Sequence, residues 1–193
     1  MYVYNFPETA PLYRVDEIRM SKSLLPKQRG VYAWFFDQPP NEVPTEGCLQ
    51  RDDMSLLYIG TAGADLRKNG NLHRRLGVSH LGGNERRSTL MQTFAAVMSE
   101  LAGPAIAKVE PKGLKYHTSK IGEKALRDWM DLNTAICWIE HPAPAEVEAE
   151  LIARYRTPLN IEFAAHPFAP LLSEKRNQRR KEAVPFIKAT IEG

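Results

Sequence analysis

The sequence predicts an α+β domain, α/β-like in its ordering, with a small three-stranded sheet flanked by helices. Two observations predict it. Gly30–Phe36, Ser55–Gly60 and Thr134–Ile139 are short runs rich in β-branched and aromatic residues, the composition of strands. Around them lie segments whose apolar residues recur at helical spacing. Three strands are too few for a doubly wound sheet.

Residues 1–29 form a mixed lead-in, with a short helix expected at Val15–Met20. Gly30–Phe36 is followed by DQPPNEVPTEGCLQRDD, a polar stretch with three prolines. This reads as a loop over 37–54, long for a compact domain, and so as an insertion or a functional arm. After Gly60 comes the glycine-punctuated loop TAGADLRKNGN and then a short helix over Leu72–Ser79. Ser88-Thr89 can cap a helix carrying Leu90, Phe94, Val97, Met98 and Leu101, stopped by Gly103-Pro104. A further helix is expected from about Ser119 to Asp131. Ala145–Arg156 is helical up to Thr157-Pro158. The chain divides into the lead-in, a domain over 30–160, and a basic, helical tail over 161–193.

The 193-residue length suits one domain with appendages and can bury a core without disulfide or metal staples. A 43% hydrophobic share beside 25% charged residues excludes a disordered chain, a collagen-like fibre and a disulfide scaffold. No apolar run approaches the roughly 20 residues that span a bilayer, and the start shows no signal peptide. Two cysteines, Cys48 and Cys137, make neither a framework nor a zinc site. A reducing, cytoplasmic setting is the expectation. The net charge of +3 is too mild to establish a nucleic-acid partner by itself. It averages over basic residues concentrated at Arg67-Lys68, Arg74-Arg75, Arg86-Arg87 and, in the tail, Lys175, Arg176, Arg179, Arg180 and Lys181. Such clusters suit phosphate contact or a merely solvated face.

Strand alternation places Tyr32, Trp34 and Phe36 on one face, and Tyr58 with Leu56 and Gly60 on one face of the second strand. Both tyrosines suit a core with satisfied hydroxyls or a site. On a helical wheel over 145–156, Glu148 falls among Val147, Leu151, Ile152 and Tyr155, whereas Glu146 and Glu150 lie opposite. A carboxylate on an apolar stripe needs a partner, an arginine or a cation. One carboxylate with waters and substrate phosphate is how Mg²⁺ is usually held. The five histidines show no metal-ligand spacing. The absence of a P-loop, a nucleophile elbow, HExxH and CxxC argues against a nucleoside triphosphatase, an α/β hydrolase and a zinc protease.

In order, these residues resemble the GIY-YIG nuclease family. Gly30-Val31-Tyr32 resembles its first motif, with valine for the usual isoleucine, and Tyr58-Ile59-Gly60 matches the second letter for letter. Leu72-His73-Arg74-Arg75-Leu76 resembles the helix bearing the family arginine, placed at Arg75, with His80 after it. Glu148 stands three residues before Leu151-Ile152, as the family's metal-binding glutamate does. Pro158-Leu159-Asn160 resembles the closing Pro-x-Asn. The departures are 26 positions between Tyr32 and Tyr58, Thr61 where many members carry lysine, and His80 one position further from Arg75 than is common.

The resemblance implies a mainly antiparallel sheet and a divalent-metal-dependent endonuclease acting on DNA, with RNA left open. Glu148 would hold Mg²⁺ or Mn²⁺, and Arg75 would stabilise charge on the phosphate. Tyr58 or Tyr32 would orient or deprotonate water, with His80 as hydrogen-bond partner or alternative base. Gly30, Gly60 and Asn160 would support the site. Arg67, Lys68, Arg74, Arg86, Arg87, Arg179 and Arg180 are the expected nucleic-acid contacts. No membrane association is expected. Double-strand cutting would need two successive nicks or two sites, as in a homodimer. The alternative is a catalytically inactive nucleic-acid-binding module acting with a partner.

Overall fold

The computed structural model describes residues 3–65, 69–82, 88–111, 113–164 and 166–185. In chain order the elements are α1 (Phe6–Thr9), β1 (Tyr13–Arg14), α2 (Val15–Met20), β2 (Gly30–Phe36), β3 (Gln50–Arg51), β4 (Met54–Ala62) and a π-helix over His73–His80. There follow α3 (Thr89–Val97), α4 (Ser99–Ala102), β5 (Ala105–Glu110), β6 (Gly113–Thr118), α5 (Lys120–Asn133), β7 (Thr134–Glu140), α6 (Ala145–Tyr155), α7 (Ala169–Lys181) and β8 (Val184–Pro185). No helix among the described residues is long and apolar enough to cross a membrane.

The fold is mixed α and β, but its sheet is larger than the three strands expected. The main sheet has five strands in the order β1-β7-β2-β4-β3, every neighbouring pair antiparallel. The three strands read from composition form its centre. The two added edges, β1 and β3, are two residues each, too short to leave a pattern. β3 arises at the end of the proline-containing loop, where Asp52 and Asp53 at φ 49° and 59° turn the chain back into β4. Two successive left-handed residues are the mark of a hairpin turn matched to strand twist.

All seven residues of β2 are buried, because both faces of the sheet are covered. On one face Tyr32, Trp34 and Phe36 pack with Leu72 and Leu76, with Leu90 and Phe94 of α3, and with Leu126 and Met130 of α5. On the other, Val31, Ala33 and Phe35 pack with Phe6 of α1 and with Val147, Leu151, Ile152 and Tyr155 of α6. The strand therefore reads as a continuous apolar run.

Simple alternation fails in one place. The β2–β4 register shifts between Trp34↔Tyr58 and Phe35↔Leu56, leaving Leu57 as a bulge. Leu57 and Tyr58 consequently share the Tyr32 face, while Leu56 lies on the opposite one. Tyr58 thus does not share a face with Leu56 as alternation predicts; the extra residue re-aims it toward Tyr32.

A second sheet, ordered β6-β5-β8, was not foreseen. β5 and β6 form a hairpin from Ala105↔Thr118 to Glu110↔Gly113, and β8 adds in parallel beside β5. The helix expected from Ser88 to Leu101 is broken at Met98 into α3 and α4. Ser88 caps α3, its Oγ accepting from Met91 N at 3.0 Å.

Candidate active site

The Gly30–Tyr32 and Tyr58–Gly60 segments lie side by side, with Tyr32 directly opposite Gly60. The pairing explains the glycine. A Cβ at Gly60 would lie 2.6 Å from Tyr32 Oη and 2.9 Å from Tyr58 Cε1, so only glycine leaves room for the two rings, whose centroids are 6.4 Å apart. At Gly30 a Cβ would meet the Ile139 carbonyl oxygen at 2.2 Å, a clash with the backbone of β7.

The π-helix brings the two expected helical residues to one phenol. In an α-helix, residues five apart diverge by about 140° at 100° per residue. A π-helix closes i→i+5 hydrogen bonds, here Leu81 N to Leu76 O at 2.9 Å, so five residues make about one turn. Arg75 and His80 therefore project together. Arg75 Nε donates to Tyr32 Oη at 3.3 Å, and His80 Nε2 lies 2.7 Å from the same oxygen. The added residue between arginine and histidine is absorbed by helix type.

Behind this phenol the network closes. His80 is fully buried, and its Nδ1 lies 2.6 Å from Ser88 Oγ, which is 1% exposed. Burial, reinforced by the Arg75 charge, holds the His80 pKa well below its ordinary value, so the ring is neutral at physiological pH. Tyr32 is fully buried as well, and desolvation raises its pKa, opposed by the Arg75 guanidinium. Tyr58 is raised well above its ordinary value, by burial first and by Tyr32 second.

In front lies a cavity of about 400 Å³ whose walls include Tyr58, Thr61, Arg75, Glu148, Asn160 and Glu162. Tyr32 and His80 are not on its wall. α6 supplies Glu148 from the border of its buried stripe, half-buried, while Glu146 and Glu150 are exposed. Desolvation raises the Glu148 pKa and the nearby Glu162 raises it further; a hydrogen bond from Thr61 and the Arg75 charge oppose the rise. Thr61, in the position where lysine is common, thus gives the carboxylate a neutral donor. Glu162 was not anticipated: it lies in irregular chain two residues after Asn160, where no periodicity marks it.

Asn160 is buried and clamps the strand. Its Oδ1 accepts from Ile59 N at 3.0 Å and from Thr157 Oγ1 at 2.8 Å, and its Nδ2 donates to Ile59 O at 2.8 Å. One side chain thereby satisfies both backbone groups of the residue between Tyr58 and Gly60.

The basic residues divide. Arg67, Lys68, Arg86 and Arg87 lie outside the described residues. Arg74 and Arg180 are exposed. Arg179 does not stand on a solvated face: it is 8% exposed and donates to the Gly103 carbonyl and to Thr118 Oγ1. It follows Leu172 by seven residues and so sits on the buried stripe of α7, which a helical wheel over the tail would have shown. Arg176, named in the basic tail but not among the expected nucleic-acid contacts, reaches the cavity wall from α7.

Among the described residues no group of three or more histidine, cysteine, aspartate or glutamate side chains forms a metal cluster. Glu148 has the character of a single hard ligand, an oxygen donor whose ionised form burial disfavours and a cation would favour.

Neither a search of curated proteins nor one of solved structures returned a match. The profile of the GIY-YIG catalytic domain matches residues 30–182, which is most of the chain and takes in β2, the π-helix, α6 and α7. The chain belongs to the GIY-YIG family of nucleases.

Proposed function

We propose that the protein is a divalent-metal-dependent endonuclease that hydrolyses phosphodiester bonds in DNA by a single-metal mechanism. The observation that carries this reading is the meeting of Tyr58, Arg75 and Glu148 on one cavity, with Tyr32 and His80 packed behind it.

Glu148 would hold Mg²⁺ or Mn²⁺ through its carboxylate. Such an ion, when bound, neutralises phosphate charge and lowers the pKa of water. Arg75 is anchored through Nε to Tyr32, which orients its guanidinium at the cavity wall for the nonbridging phosphate oxygens. Tyr58 reaches the cavity with its phenol protonated at neutral pH, so its role is to orient the attacking water. Tyr32 and His80 position Arg75 and Tyr58 from behind, and Asn160 fixes the strand that carries Tyr58.

The test is cleavage of plasmid and structured DNA and RNA with Mg²⁺ or Mn²⁺. Cutting is expected with the parent protein and is expected to vanish in Glu148→Ala while the thermal transition persists. Cutting that survives the substitution, or excess chelator, overturns the assignment of the metal to Glu148. Metal-independent binding with no cutting of any substrate would support the inactive module instead.

A further inference from the structure

A second cleft, also of about 400 Å³, lies beyond the catalytic cavity between α3, α7 and the β5–β6 hairpin. Gln92, Lys115, Tyr116, Arg176 and Arg180 line it, and no acidic residue is among its lining residues. Lys115 and Arg180 are exposed, and Tyr116 is half-buried. Arg176 lines the catalytic cavity as well, and its Nη2 donates to Gln92 Oε1 at 2.6 Å. Thr89 and Thr93, which flank Gln92 on α3, face the catalytic cavity. The two hollows therefore share one wall. The cleft is also held in shape, because the buried Arg179 ties α7 to the Gly103 carbonyl and to Thr118 at the end of β6.

We propose that this cleft is a subsite for an unpaired nucleic-acid strand leading into the catalytic cavity. The cations Lys115 and Arg180 would engage phosphates, and Tyr116 would stack on a base. Charge selects a polyanion. The aromatic ring selects an unpaired strand, since bases in a duplex keep their faces stacked on one another and present none to a side chain. A hollow of this volume has the dimensions of a small-ligand pocket, not of a groove that takes a whole duplex. The substrate class is thus a branched or frayed nucleic acid with a single-stranded arm beside the cut, and the link to cutting rests on the nuclease reading above.

The test measures binding apart from catalysis. Fluorescence anisotropy of the full-length protein in chelator would use labelled oligo-dT, oligo-U and a duplex of equal length. The double substitution Lys115→Ala/Arg180→Ala, both at exposed positions, is expected to flatten the dependence of log K on log salt for single strands by about 1.4, two phosphate contacts' worth. Tyr116→Ala is expected to weaken single-strand binding about tenfold, with Tyr116→Phe retaining it and duplex binding unmoved. Comparison of oligo-dT with oligo-U identifies whether the cleft favours a DNA or an RNA strand, and binding of either that weakens in the cleft variants supports it. An unchanged slope and affinity in the double variant, or equal losses for single strand and duplex, overturns the proposal. Absent cutting with cleft-dependent single-strand binding would fault the nuclease reading alone. Intact cutting with cleft-independent binding would fault the cleft alone.

Discussion

The two sides of the tyrosine pair are built differently. Behind it, Tyr32, His80 and Ser88 form a dry chain of hydrogen bonds, each member at most 1% exposed. In front, Tyr58, Thr61, Arg75 and Glu148 face an open cavity of about 400 Å³. On the rear side Tyr32, His80 and Ser88 are hydrogen-bonded to one another and shaped by packing, whereas the front carries a carboxylate whose charge its surroundings disfavour. A polar network closed on itself rigidifies a core. A group held in an unfavourable charge state at a cavity is a functional-site candidate. Substitutions on the front should therefore cost activity with little stability, and those on the rear should cost stability first.

After the loss expected for Glu148→Ala, the largest effect should come from Arg75. On the proposed nuclease reading, replacing it with alanine removes a preorganised cation at the phosphate, and the loss of one such donor lowers turnover by about 10²–10³-fold. The drop should appear in kcat under single-turnover conditions with little change in substrate affinity. A rise in KM with kcat preserved would make Arg75 a binding contact and would move it off the catalytic front.

The tyrosines give the sharpest test of the contrast. Tyr32→Phe deletes the oxygen that meets both Arg75 Nε and His80 Nε2. Leaving buried polar groups without that partner costs about 1–3 kcal/mol, so thermal unfolding should shift down by several degrees. Tyr58→Phe removes one hydroxyl, hydrogen-bonded to Tyr32, from a residue on the cavity wall, and should lower the cleavage rate with a smaller shift in melting. Paired melting curves and rates for the two variants would decide it. Equal stability losses would erase the distinction between the two sides.

The brace can be broken separately. Asn160→Ala removes three hydrogen bonds from a buried position and leaves the Ile59 amide and carbonyl without their side-chain partner. A stability loss of about 1–3 kcal/mol is expected, together with a fall in activity because Tyr58 and Gly60 flank Ile59. Asn160→Asp can still accept from Ile59 N but sets a buried carboxylate oxygen against Ile59 O, so at neutral pH it should cost at least as much as alanine. Denaturant titrations of both variants measure the difference.

Much of this arrangement was legible in sequence, for identifiable reasons. The central strands announce themselves because burial on both faces fills them with Val, Ile, Trp and Phe. Glu148 emerges from a helical wheel because α6 is one regular amphipathic helix with a single acidic residue at the edge of its stripe. What stayed hidden depended on departures from regular periods. The Leu57 bulge shifts Tyr58 to the Tyr32 face, and the π-helix aligns Arg75 with His80. The bulge depends on strand pairing and the π-helix on a local i→i+5 hydrogen bond, and neither is marked by residue type. The β5–β6 hairpin escaped notice because its strands are open to solvent: Lys108, Val109, Leu114 and Lys115 are all exposed, so no apolar alternation records a buried face. Glu162 belongs to irregular chain after Asn160, and only its place on the Glu148 cavity, where its charge raises the Glu148 pKa, distinguishes it from an ordinary surface glutamate.

The smallest expected effect is also the most diagnostic of the front. The Glu148 pKa is raised in the folded protein, chiefly by burial, so between its unfolded and folded values the native state binds more proton than the unfolded chain. Stability attached to this group is then fully present below the unfolded carboxylate value of about 4.3 and is lost as pH rises through the folded value. Glu148→Gln removes the charge while keeping the shape. It should raise the melting temperature slightly at neutral pH, and the gain should shrink toward zero in acid. Cleavage should disappear in the same variant, so stability and activity move in opposite directions at one residue. A melting temperature lowered at neutral pH would mean that Arg75 and Thr61 over-compensate the burial, leaving Glu148 as a structural ion-pair member and not a carboxylate awaiting a cation.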